Sequence, residues 1–130
     1  MTLNPMSALW ARTALVWFML VVALGLFMGI SQRFEFAPSH AHIGVLGWLS
    51  SAVYAFLTAI AHEARPGRAP FLHWAAHNLG VAAMTGGLFL AIGLGIGGAM
   101  VLVELGSVLV VLSVLAAVWM LWPRLRPAVS

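Results

Sequence analysis

Four long apolar stretches dominate this sequence of 130 residues. They cover approximately residues 7–30, 39–61, 70–94 and 99–122, and each exceeds the ~20 residues that a helix needs to cross a ~30 Å hydrocarbon core. Charged residues make up only 7% of the chain, whereas a soluble domain has ~25%. We therefore predict an all-α, polytopic membrane protein with a single four-helix transmembrane domain over residues 1–130.

The breaks between the stretches carry residues typical of turns. A polar loop over residues 31–38 ends in a proline, and we predict Ser39 as the N-cap of the second helix. Residues 65–68 and the glycine-rich residues 95–98 are predicted turns, and Pro123 closes the last helix. The first stretch is longer than the ~7–15 apolar residues of a signal-peptide core, so we interpret it as a membrane helix.

The charges predict an orientation. The chain has six arginines, three glutamates and no lysine or cysteine, which excludes disulfides, a thiolate zinc site, a cysteine-ligated iron–sulfur cluster and c-type haem attachment. One arginine, Arg33, lies on one side of the predicted membrane. The others share the opposite side: Arg12, Arg65, Arg68, Arg124 and Arg126. We therefore expect a bacterial inner (plasma) membrane protein with both termini cytoplasmic, a lipid-bilayer partner and no nucleic-acid surface.

Two histidines, His40 and His42, open the second apolar stretch. At 100° per residue they point about 200° apart, so they face two different neighbouring spaces. The face of His40 continues through three small residues, Gly44, Gly47 and Ser51, which permit close approach of a flat group or of another helix. Since histidine is a common axial ligand of haem iron, we predict a haem slot here. The alternative is simple helix packing, with the histidines in interfacial water.

Two charged residues extend this predicted site. Glu104 is the only acid inside an apolar stretch and lies at a depth similar to that of His42. It is predicted to accept an N–H from a ligand histidine or to carry a proton; the alternative is a neutral acid bonded to a helix carbonyl. Arg33, with Gln32, is a candidate for binding haem propionates, and contact with lipid headgroups is the alternative.

A second histidine cluster lies near the other side of the membrane. His73 and His77 are four residues apart and hence on one helix face, and His62 and Glu63 lie just across a short loop. Together they are candidates for a copper or zinc site. The alternatives are interfacial rings and, for His77, hydrogen bonds between helices. This cluster lies ~20 Å in depth from His42, so two histidines on one haem would require a second copy of the chain.

The residues 40–48, HAHIGVLGW, and 71–80, FLHWAAHNLG, together resemble small proteins related to subunit I of haem-copper oxidases and nitric oxide reductases. In that family three four-helix arcs surround a pseudo-threefold axis, and the second helix of each arc carries cofactor histidines. The resemblance implies a homotrimer of four-helix arcs. It also implies that His40 of one subunit and His42 of the next hold a haem b, giving three haems per trimer.

The chain also departs from that family. Its second histidine pair lies toward the opposite side, and its only tyrosine, Tyr54, is in mid-membrane. The resemblance therefore does not support an oxygen-reducing copper centre. We predict a protein without catalytic residues that transfers electrons or senses redox state or gas, with a quinone or cytochrome as redox partner. The alternatives are a copper- or zinc-binding protein that aids oxidase assembly, and a structural small membrane subunit.

Overall fold

The structure, a computed structural model, describes residues 3–61 and 67–125. Within these ranges four helices are long and apolar enough to cross a membrane: α1 (Pro5–Ser31), α2 (Phe34–Ile60), α3 (Arg68–Gly93) and α4 (Gly97–Arg124). The prediction of an all-α chain with four such helices is confirmed. Below, "terminal end" denotes the end of the bundle that carries Asn4 and Thr58, and "Arg33 end" denotes the opposite end.

The first helix has strong boundaries. Asn4 is its N-cap, with Oδ1 accepting the Ser7 amide at 2.8 Å, and Pro5 occupies the first turn, where a missing N–H costs nothing. The Asn4 side chain also donates to the carbonyl of Thr58 at 2.9 Å, which ties the start of α1 to the end of α2. The helix ends at Gln32, whose φ of 56° lies in the left-handed region.

The second helix begins earlier than predicted, and Ser39 is not its N-cap. A 3-10 turn over Phe34–Phe36 leads into an α-helical segment, Ala37–His42, so Ser39 lies inside the helix and is buried. Proline is accepted at position 38 because it falls in the first turn of this segment. The helix then widens to π geometry over Ile43–Leu49 before returning to α geometry at Ser50.

Glycines set how closely the helices approach. A Cβ on Gly106 of α4 would lie 2.5 Å from the backbone nitrogen of Met84, so α3 and α4 meet backbone to backbone. Between α1 and α2 the glycines instead receive side chains: Gly25 faces the ring of His40, and Gly47 faces the indole of Trp17. These two helix pairs therefore differ: α3 and α4 are in backbone contact, whereas rings lie between α1 and α2.

One cluster of buried core residues lies at the terminal end. It contains side chains from α1, α2 and α4, with Trp74 of α3 packed against them, and its buried members are Trp10, Tyr54, Ala55, Ala117 and Leu121. The outer surface is apolar instead, as large side chains such as Leu15 and Trp119 are 67% and 77% exposed. This distribution is that of a protein whose outer helix faces contact lipid.

Candidate functional site

His42 is fixed by the backbone of its own helix. Its Nδ1 lies 2.7 Å from the carbonyl oxygen of Pro38, four residues earlier. A carbonyl only accepts, so Nδ1 carries the proton and donates, and Nε2 of the neutral ring has a free lone pair. Nε2 has no hydrogen-bond partner within residues 3–61 and 67–125. Metal-ligating histidines are oriented in this way, with one ring nitrogen donating to a carbonyl.

His40 lies against the first helix. A Cβ on Gly25 would come within 2.9 Å of Cε1 of His40, so the ring occupies the space that this glycine leaves open. Its Nδ1 is buried and has no hydrogen-bond partner among the described residues. The ring borders a groove of about 400 Å³ between α1 and α2, together with Val21, Val22, Ala41, Gly44, Val45, Trp48 and Leu49.

This groove is almost wholly apolar, and its volume is in the range of small-molecule and cofactor sites. Val22, Val45 and Trp48 on its walls are 54%, 56% and 38% exposed, so it opens on the outer surface of the helix pair. His40 borders it and His42 does not. The two rings therefore offer their nitrogens to separate spaces.

The stripe of small residues beside His40 has two roles. Gly44 borders the groove, and a Cβ there would meet Val21 at an ordinary contact distance of 3.4 Å. Gly47 lies under the indole of Trp17, only 2.8 Å from where its Cβ would be, and Ser51 is fully buried. Helix packing, the alternative weighed from the sequence, thus accounts for Gly47 and Ser51, and of the two glycines only Gly44 remains beside the open space.

Arg33 is engaged within its own chain. Its Nε donates to Glu35 Oε1 at 2.6 Å, its Nη2 donates to the carbonyl of Gly93 at 3.2 Å, and its guanidinium lies 4.7 Å from the centre of the Phe36 ring. The side chain is still 43% exposed. Arg33 thereby links the connection between α1 and α2 to the end of α3. Its proposed contact with haem propionates remains a prediction.

Glu104 faces outward from α4. The residue is exposed, with the apolar side chains of Val101, Leu105 and Val108 beside it, each also exposed. It has neither a hydrogen bond nor an ion pair in the part of the chain that the structure describes, and His42 donates to Pro38 instead. An intramembrane acid usually faces a cavity or a partner. Any contact of Glu104 with a ligand histidine therefore has to come from another copy of the chain.

In the second histidine cluster, His77 packs and hydrogen-bonds between helices. His77 is fully buried, its Nε2 lies 2.9 Å from the carbonyl oxygen of Leu46, and its Nδ1 lies 3.1 Å from Ser113 Oγ. The carbonyl of Leu46 accepts from Nε2. The Ser113 hydroxyl also donates to the carbonyl of Val110 on its own helix at 2.8 Å, so it is shared between that carbonyl and Nδ1 of His77. His77 thereby links α2, α3 and α4. The alternative reading of His77 as a residue that hydrogen-bonds between helices is confirmed.

The Leu46 carbonyl is free to bond His77 because of the π segment in α2. In the π segment of α2 each amide bonds five residues back, as Ser50 does to Val45, and the return to α geometry leaves one carbonyl outside the helical ladder. Leu46 lies at that point, and His77 supplies the missing donor. The sequence does not predict Leu46 and Ser113 as partners of His77, because a π segment has no simple sequence signature.

His73 is the less committed ring of this pair. It is 6% exposed and stands between Trp10 and Tyr54, with ring centroids 5.1 and 4.9 Å away, and its centroid is 6.4 Å from that of His77. Its Nε2 is buried without a partner among the described residues. Within those residues there is no group of three or more histidine, cysteine or acidic side chains that could hold a metal. His62 and Glu63 lie outside them.

Comparison of this chain with family models, with curated proteins and with solved structures gives no match. The class that the structure itself defines is an all-α chain with four helices capable of spanning a membrane. Within it, His42 has the geometry of a ready ligand, His40 borders an apolar groove, and His77 serves the packing.

Proposed function

We propose that this chain is a haem b-binding integral membrane protein, in which the iron is held between His40 of one subunit and His42 of its neighbour. The observation that carries the proposal is the hydrogen bond of 2.7 Å from His42 Nδ1 to the Pro38 carbonyl, which leaves Nε2 free and fixes its direction. The apolar groove beside His40, with Gly44 on its wall, offers the flat and dry surroundings that a macrocycle requires.

The two ligands have to come from different chains. Axial nitrogens on one iron are ~4 Å apart and on opposite sides of it. His40 and His42 project about 200° apart from one helix, so the backbone of α2 itself stands between them. A ring of copies, each giving one histidine to each neighbour, satisfies every iron with two ligands. We propose a homotrimer with three haems, in keeping with the resemblance to the three arcs of oxidase subunits.

Haem supplies one-electron redox chemistry, and the protein determines its position, its ligands and the polarity around it. Two histidine ligands leave no open coordination position for oxygen or nitric oxide, which favours electron transfer over gas reduction. A quinone or a cytochrome is the proposed redox partner. The arginine distribution supports a site near the outer face of a bacterial inner membrane, with the termini in the cytoplasm.

The test is a reduced-minus-oxidised absorption spectrum of membranes that contain the natively expressed protein. We expect a sharp b-type signal that is lost in His40→Ala and in His42→Ala and retained in His73→Ala. Free imidazole should restore the signal of the two former variants, because it can occupy the emptied coordination position. Detergent-corrected mass measurement should give a trimer.

Three results would contradict the proposal. Native protein without haem is the first, and a monomer that keeps a six-coordinate spectrum is the second. Loss of the signal in His73→Ala with retention in His42→Ala is the third, as it would move the ligands to the other cluster. Stoichiometric copper or zinc without haem would favour a metal-handling protein, and absence of both would favour a structural subunit.

A further inference from the structure

We infer that the seam between α1 and α3 binds one chain of an anionic phospholipid, with its headgroup at Arg12. The inference goes beyond the proposed function and does not depend on haem. It begins from two cavities along this seam, of about 580 and 550 Å³. Both are bordered by Trp17, Leu20 and Ala82, so they form one continuous groove.

The groove exists because rings hold the two helices apart. Trp74 Nε1 donates to Thr13 Oγ1 at 3.0 Å, and Trp17 Nε1 donates to Asn78 Oδ1 at 2.8 Å, so indoles bridge the seam where a close helix contact would otherwise form. Toward the Arg33 end, Ile43 of α2 also borders it. These hydrogen bonds satisfy the polar groups of the seam within the chain, and the groove offers a ligand an almost purely apolar wall.

The dimensions suit a single extended hydrocarbon chain. Along α1 the groove runs from Arg12 to Phe27, which at 1.5 Å per residue is ~22 Å, longer than half of a ~30 Å hydrocarbon core. The α3 wall includes Gly86, and a Cβ there would meet no atom within 4 Å. Space remains at Gly86 that the chain itself does not fill.

Arg12 determines the kind of lipid. It borders the groove at the terminal end, is exposed, and has no hydrogen bond or ion pair among the described residues. The 27-residue α1 is ~40 Å long and overhangs the core by ~5 Å at each side, so Arg12 starts just inside the hydrocarbon and its long side chain reaches the headgroup level. A cation at the mouth of an apolar groove complements a phosphate with an acyl chain. Basic pockets between membrane helices bind anionic headgroups in this way.

The experiment compares phosphatidylglycerol with phosphatidylcholine of identical acyl chains, added to the detergent-purified full-length protein, with bound lipid counted by native mass spectrometry. We expect the anionic lipid to bind about fivefold more tightly, as one basic residue near an anionic headgroup provides. Arg12→Gln should remove this preference, and Arg12→Lys should keep it, because the charge is retained. These two variants leave the helix packing untouched.

A second pair of variants tests the groove itself. Gly86→Leu places a side chain in the open space and should weaken the binding of both lipids. Gly29→Leu is the matched control, since a Cβ there also meets nothing within 4 Å but Gly29 borders neither cavity. Gly29→Leu should therefore bind both lipids like the original protein.

Several outcomes would overturn the inference. Equal affinity for the two lipids, unchanged by Arg12→Gln, would mean that the seam holds only ordinary boundary lipid. A neutral isoprenoid that resists displacement by the anionic lipid would assign the groove to another ligand. Gly86→Leu that changes the oligomeric mass without changing bound lipid would show that a second copy covers the seam.

Discussion

The two ends of this molecule each carry a histidine pair, and the pairs are used in different ways. At the terminal end His77 is fully buried with both ring nitrogens in hydrogen bonds to other helices. At the Arg33 end His42 is half-buried, and its one hydrogen bond goes back to its own helix. The first arrangement encloses both ring nitrogens, so neither is accessible to a ligand, whereas the second leaves one lone pair free and fixes its direction.

The spacing of histidines along a helix predicts which face they share, but not whether that face binds a metal ion. The separation of His73 and His77 places both on one face, as expected, and they do lie in one cluster. Whether such a face binds an ion depends on which other groups compete for the ring nitrogens. In this fold the π segment of α2 presents a spare carbonyl to His77, and the ring is thereby committed to packing.

The largest expected effect is on the free energy of unfolding, which should fall much more for a substitution of His77 than for one of His42. His77→Ala removes a buried ring and leaves the Leu46 carbonyl without its donor, so it should lower the free energy of unfolding by about 3 kcal/mol. His42→Ala should lower it by less than about 1 kcal/mol, because only a bond to the same helix is lost. Reversible unfolding by dodecyl sulfate in mixed micelles measures both. Equal losses for the two variants would abolish the distinction between the ends.

The next prediction concerns how the first helix holds His40. Gly25→Ala adds a methyl group 2.9 Å from Cε1 of His40 and must displace the ring. On the proposed function it should weaken haem binding by about tenfold, since overpacking costs on the order of 1–3 kcal/mol. Gly29→Ala, one turn further along α1, is the control: its methyl would meet no atom within 4 Å, Gly29 does not border the groove, and the haem spectrum should stay nearly unchanged. Haem titration of the two purified variants gives the comparison. An unchanged affinity in Gly25→Ala would show that the position of His40 does not matter.

A smaller effect is expected at the other partner of His77. Ser113→Ala removes the hydroxyl that contacts Nδ1 of His77 and also bonds to the carbonyl of Val110 on its own helix. The loss of the contact between helices should cost about 1 kcal/mol. Ser107→Ala is a matched control on the same helix, since the Ser107 hydroxyl bonds at 2.6 Å to the carbonyl of Val103 one turn earlier. The mixed-micelle unfolding measurement should find almost no change for that control. A loss in Ser107→Ala as large as in Ser113→Ala would remove the special role of the His77 hydrogen bond.

Hydropathy alone predicted the four helices, because their apolar length is a direct requirement of the bilayer. It did not predict the start of α2: a proline such as Pro38 is typical of a helix boundary, but here it falls in the first turn of an α-helical segment.

At the candidate site, too, the sequence predicted some features and missed others. The opposed directions of His40 and His42 followed from helix geometry, and the groove borders only His40. The partners that decide ring chemistry were not predictable, because Gly25 and the Leu46 carbonyl belong to other helices and carry no pattern of their own.

The smallest expected effect concerns Glu104, which faces outward and has no partner in the described part of the chain. Glu104→Gln should change the free energy of unfolding of the isolated chain by less than about 0.5 kcal/mol. If a neighbouring copy brings haem to this face and Glu104 is the ionised partner of the site, the variant removes a negative charge near the iron. The reduced state, with one positive charge fewer, then becomes relatively more stable, and the midpoint potential should rise. Val111→Gln places the same amide on exposed helix surface two turns away without altering charge, and a redox titration should find its potential unchanged. A potential that stays constant in both variants would place Glu104 away from the Arg33-end site and leave its outward position without a role in ligand binding.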